Sequence, residues 1–119
     1  MKRSFWHTLT AWQDFPQRKP MLIQGARQVG KTWLLKCFGE SRFKNCILLD
    51  FAESKELNGF FEPNLKPERI LTDLGLYLDR DITLEDTLLI FDEIQLCPEA
   101  LTSLKYFCEK YPEAYICAS

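Results

Sequence analysis

Residues 25–32 read Gly25-Ala26-Arg27-Gln28-Val29-Gly30-Lys31-Thr32. Two glycines, then a lysine, then a hydroxyl residue match G-x-x-x-x-G-K-S/T at every fixed position. A row of phosphates needs a concave ring of backbone N–H donors, and a chain curls that tightly only where side chains are missing. Gly25 and Gly30 are therefore expected to supply unusual backbone angles and close approach. A helix beginning at the loop would add its unpaired N–H groups and the positive end of its dipole. Lys31 can reach the β- and γ-phosphates as a point charge, and Thr32 can offer its hydroxyl to Mg²⁺. The pattern is that of a phosphate-binding P-loop, or Walker A motif, and implies ATP–Mg²⁺ as the ligand. GTP is disfavoured because no N-K-x-D guanine motif occurs.

Hydrolysis needs a second Mg²⁺ anchor and a group to handle water. Leu88-Leu89-Ile90-Phe91-Asp92-Glu93 contains both residue types. Four apolar residues followed by an acid have the Walker B form, a buried strand that delivers Asp92 to its C-terminal end. Sites of open parallel sheets lie at that edge. Asp92 would hold Mg²⁺, and Glu93 would act as general base toward the attacking water. Gln95 has two readings, a γ-phosphate sensor or a surface residue of the strand-to-helix loop. Asp50 also has two, a support for the site or a strand terminus. Arg27 and Gln28 are expected to face solvent or a neighbouring element.

Elements must hold these residues in place. Residues 21–24 form a short apolar run suited to a buried strand before the loop, with a helix expected over 31–38 and Gly39 as its stop. Residues 45–51, 87–91 and 114–118 read as three more buried strands. Asn58-Gly59 and Glu62-Pro63-Asn64 signal turns. Pro67 opens a helix running to Leu78, with Ile70, Leu71, Leu74 and Leu78 on one face. Pro98 and Glu99 open another, with Ala100, Leu101, Leu104, Phe107, Cys108 and Tyr111 as its inward stripe. Ahead of all this, Ser4 is placed as the cap of a helix over 5–13. Its aromatic face (Phe5, Trp6, Leu9, Trp12) would pack on the core, or a tryptophan would stack on adenine. Strands alternating with helices give an α/β fold with a parallel sheet.

Bulk properties narrow the function classes. At 119 residues the chain is one domain or part of one, and 46% hydrophobic content supports a real core. The net charge of −2 gives no overall basic field for nucleic acid. The charge is uneven, however: residues 1–40 hold seven Lys/Arg against Asp14 and Glu40, so nucleic-acid contact by this segment stays open. Five cysteines without a C-x-x-C pair, sitting in apolar runs, read as reduced, buried thiols of a cytoplasmic protein. His7 is the one histidine, far in sequence from any cysteine pair, which argues against zinc. No apolar run reaches the ~20 residues of a membrane span.

Gly25–Thr32 together with Phe91-Asp92-Glu93-Ile94-Gln95 resembles the prokaryotic AAA-superfamily ATPases whose P-loop reads G-x-R-Q-V-G-K-T and whose Walker B ends in D-E-I/V-Q. The resemblance runs from the helix before the P-loop to the strand at 114–118. It implies a three-layer P-loop NTPase core in which 114–118 lies beside 21–24. It also implies a small polar sensor of the γ-phosphate at the end of that strand, the place of Ser119. Members of the group continue with a fifth strand, a lid, an arginine finger and often a nuclease-like domain, so residues 1–119 are expected to be the N-terminal part of such a domain, truncated after the fourth strand. On that expectation the sheet would end on a would-be central strand lacking one neighbour. A homo-oligomer with an arginine supplied in trans is conceivable. The alternative function is a nucleotide-dependent switch or interaction module with little turnover, linked to nucleic-acid processing or defence.

Overall fold

A computed structural model describes residues 2–23 and 29–119. Four strands, β1 (Met21–Leu22), β2 (Asn45–Asp50), β3 (Thr87–Asp92) and β4 (Tyr115–Ala118), form one all-parallel sheet in the order β1-β4-β3-β2. Each crossover passes through helix: α1 (Lys2–Asp14) precedes β1, α2 (Val29–Arg42) joins β1 to β2, α3 (Pro67–Leu78) joins β2 to β3, and α4 (Pro98–Lys110) joins β3 to β4. Residues 24–28, which include the end of the first predicted strand and Gly25, Ala26, Arg27 and Gln28 of the motif, lie outside the described residues.

Alternation along β3 builds the layers. Leu88 and Ile90 face one side, where they pack with Leu9 and Trp12 of α1 and Leu35 and Phe38 of α2. Leu89 and Phe91 face the other, against Ile70 and Leu74 of α3 and Ala100, Leu104 and Phe107 of α4. All six residues of β3 are buried, as expected of a strand covered on both faces. Trp12 anchors α1 by donating its indole N–H to the Lys19 carbonyl at 2.7 Å, and Trp6 meets Phe38 edge to face. The core-packing reading therefore holds for both tryptophans. Pro67 opens α3 at the expected residue and Leu78 closes it.

Several expectations are corrected. Helix α1 begins at Lys2, so Ser4 is inside it and its carbonyl accepts from the Thr8 hydroxyl; it is not a cap. Gly39 does not stop α2, which continues to Arg42. A Cβ at Gly39 would sit 2.4 Å from Cys46 Sγ and 3.1 Å from Leu88 Cδ2, so glycine is there to let the helix close on the sheet. Asn58 and Gly59 fall within a 3₁₀ helix over Lys55–Phe61, not a simple turn. In α4, Leu101 is exposed and Ser103 takes a buried place between Ala100, Leu104 and Phe107. Of the five cysteines, all unpaired, Cys97 and Cys117 are buried while Cys37, Cys46 and Cys108 are half-buried. Finally, β4 has neighbours on both sides, so the last strand does not lack a partner; the open edges among the described residues belong to β1 and β2.

Candidate functional site

Parallel pairing puts the C-terminal ends of the strands together. Asp50 and Asp92 are register partners at the ends of β2 and β3, and Phe91 pairs with Ala118, one residue before Ser119. The ladder runs past the strand ends: Phe51 N–H donates to the Asp92 carbonyl, Ser119 N–H to the Phe91 carbonyl, and Ile23 N–H to the Ala118 carbonyl. These bonds fix the backbone on both sides of Asp92 before any side chain contributes.

Asp92 is the convergence point. It is 8% exposed, and its Oδ1 accepts the Ser119 hydroxyl at 2.9 Å and the Thr32 hydroxyl at 3.2 Å. Thr32 stands in the first turns of α2, sixty residues away in sequence. A buried carboxylate is tolerable only when its oxygens are satisfied, and two hydroxyls on one oxygen are a partial answer. Among the described residues no cluster of three or more His, Cys, Asp or Glu side chains could hold a metal on its own. One carboxylate with nearby hydroxyls is instead the sparse oxygen set that suits Mg²⁺, which keeps several waters and shares its remaining positions with phosphate oxygens. The donor set therefore fits the ion that the motifs imply.

Val29 opens α2, and Gly30 lies in its first turn. Gly30 has no left-handed backbone angle, which corrects the expectation of an unusual conformation there; a Cβ on it would point into open space. Lys31 meets α1: its Nζ lies 5.9 Å from the centre of the Phe5 ring, a contact that no motif signals.

Glu93 follows Asp92 in a left-handed conformation, φ 57° and ψ 46°. Such angles cost a non-glycine residue roughly 1–2 kcal/mol. The turn is held by Ile94 N–H donating to the Ser119 carbonyl at 2.9 Å and by Leu96 N–H donating to the Glu93 carbonyl at 3.1 Å. Glu93 as a residue is half-buried, but its carboxylate bond is exposed: Oε1 accepts from the Gln95 side-chain amide at 2.6 Å. Asp50 is turned to local work, its Oδ1 accepting from the N–H groups of Ala52 and Glu53 at 2.9 and 3.1 Å. The structure thus joins Thr32, Asp92 and Ser119, pairs Glu93 with Gln95, and leaves Asp50 as the cap of the turn after β2. Sequence patterning gave no signal for the Gln95–Glu93 pair, because two residues two apart meet only through the left-handed turn at Glu93.

No helix among the described residues is long and apolar enough to cross a membrane. No curated protein and no solved structure matches the chain. The family model described as an AAA domain matches residues 17–119, from just ahead of β1 through Ser119. With the parallel α/β sheet and that match over most of its length, the chain belongs to the AAA domain family, a family of nucleotide-binding, ATPase-type domains.

Proposed function

We propose that the chain binds ATP with Mg²⁺ and hydrolyses it. The observation that carries this reading is the hydrogen bond between Thr32 and Asp92, which brings the hydroxyl of the first motif to the acid of the second. Gly25 through Thr32 would hold the phosphates with backbone N–H groups, and Lys31 would leave the Phe5 ring to neutralise their charge. Thr32 and Asp92 would hold Mg²⁺, which when bound neutralises charge developing on the transferred phosphoryl group. Glu93 would accept a proton from the attacking water. Ser119 keeps Asp92 oriented, and its place at the end of the central strand supports the role of γ-phosphate sensor.

Equilibrium binding of a fluorescent ATP analogue, with and without Mg²⁺, tests the first step, and phosphate release tests the second. Asp92→Asn and Thr32→Ala should each weaken the Mg²⁺-dependent part of binding on the order of 10- to 100-fold. Wild-type binding indifferent to Mg²⁺, and to both substitutions, would refute the assignment. Tight Mg²⁺-dependent binding without phosphate release would leave the domain as a nucleotide switch.

A further inference from the structure

We infer that Gln95 is a positioning residue for Glu93: its side-chain amide holds one carboxylate oxygen so that the other is presented to water. This rests on the reading of Glu93 as the general base. Three observations converge. The Gln95 Nε2 to Glu93 Oε1 distance is 2.6 Å, a close side-chain contact between amide and carboxyl group. A carboxylate only accepts, so the nitrogen of the amide is the atom that must face it. The backbone between the two is strained into the left-handed region at Glu93, which brings side chains two residues apart onto each other. That conformation is clamped from outside by the bond from Ile94 N–H to the Ser119 carbonyl. Left-handed non-glycine residues persist where surrounding structure enforces them, and they concentrate at working sites.

The bond is exposed to solvent, so it contributes little to holding the fold together. Its effect lies in restricting where the carboxylate sits. A glutamate with free rotation about its side-chain bonds would spend part of its time aimed away from the reacting centre, and a base must lie within hydrogen-bond reach of the proton it takes. With Oε1 engaged by Gln95, Oε2 is left to accept from water.

The test uses the whole chain and three variants, Gln95→Ala, Gln95→Glu and Glu93→Gln, with ATP–Mg²⁺ and both steady-state phosphate release and nucleotide binding measured. Gln95→Ala should lower kcat about five- to tenfold while KM and nucleotide affinity stay within twofold. Gln95→Glu keeps the size, removes the donor and adds repulsion, so it should lower kcat further, again at constant affinity. Glu93→Gln should bind nucleotide and release no phosphate. If Glu93→Gln turns over normally, or if the wild-type chain releases none, the general-base reading fails and this inference falls with it. If Glu93→Gln is dead but Gln95→Ala keeps its kcat or raises it, the inference alone is overturned. A parallel loss of kcat and affinity in Gln95→Ala overturns it too, since that pattern belongs to damaged structure.

Discussion

Replacing Gly39 by alanine tests how α2 is seated. Helix propensity alone favours the change: glycine in a helix interior is about 1 kcal/mol worse than alanine. The packing opposes it. The new Cβ would lie 2.4 Å from Cys46 Sγ, 3.0 Å from Cys46 Cβ and 3.1 Å from Leu88 Cδ2. Rotation of the cysteine could move the sulfur, yet its Cβ is part of β2 and Leu88 is fully buried in β3. Overpacking of this kind typically costs about 1–3 kcal/mol. Subtracting the propensity gain leaves a net loss of about 0–2 kcal/mol, centred on about 1 kcal/mol. With a urea m-value of roughly 2 kcal/mol/M for a small domain, the central loss of about 1 kcal/mol lowers the unfolding midpoint by about 0.5 M at unchanged m. Cys46→Ala in the same chain removes the closest atom and should recover about half the loss, a coupling of neighbours measurable by a double-mutant cycle. A Gly39→Ala midpoint equal to or above wild type would refute the reasoning and return Gly39 to the role of a weak spot in the helix. So would a loss that Cys46→Ala leaves untouched.

Asp79 ends α3 in the left-handed conformation at φ 55°, with its own N–H and that of Arg80 returning to the carbonyls of Leu76 and Gly75. Asp79→Gly removes a side chain from a backbone region that disfavours it, and should raise the unfolding free energy by about 0.5–1 kcal/mol in the same urea assay; lower stability would show that the aspartate has a role of its own. The thiols set a limit at high pH. Burial pushes Cys46 from 9.0 up to about 11, with Glu40 adding to the rise, and burial pushes Cys117 up as well. Their protonated forms are the ones the fold favours, so the stability they contribute is intact below pH 9 and falls as pH rises, Cys46's being lost through about 11 and Cys117's only above that. Midpoints measured from pH 8 to 11 should fall more steeply for wild type than for a Cys46→Ala, Cys117→Ala chain, and parallel slopes would remove these thiols as the cause.

Features set by runs of residues were legible before the structure. Thr87–Phe91 is unbroken apolar sequence because β3 is covered on both faces, and the α3 boundaries followed from Pro67 and the spacing of Ile70 and Leu74. Two motifs placed Thr32 and Asp92 at one Mg²⁺, and the structure joins their side chains directly by a hydrogen bond. Features set by a single contact were not legible. A glycine near the end of an apolar stripe looks like a stop, and only the position of Cys46 shows that Gly39 serves close approach. The true left-handed cap of α3 is an aspartate, while Gly75, four residues earlier, leaves room for the Arg80 carbonyl, which would lie 2.9 Å from a Cβ there. Leu101 fits a helical stripe by spacing, but the buried line of α4 runs through Ser103, whose hydroxyl is satisfied by the Ala100 carbonyl at 2.6 Å.

The position of Ser119 explains why the site depends on the centre of the sheet. Its hydroxyl donates to Asp92, its N–H to the Phe91 carbonyl, and its carbonyl accepts from Ile94. One residue therefore braces the strand before the acid, the acid itself and the turn that carries Glu93. It can do so because β4 lies beside β3, so that the backbone leaving β4 runs alongside the end of β3. Were β4 not beside β3, Asp92 would lose its second hydroxyl and the left-handed turn its outside clamp. The pairing of β4 with β3 thus shapes the candidate site: Thr32 reaches Asp92 from the helix side and Ser119 from the sheet side, and the geometry of Asp92 and Glu93 is held between them.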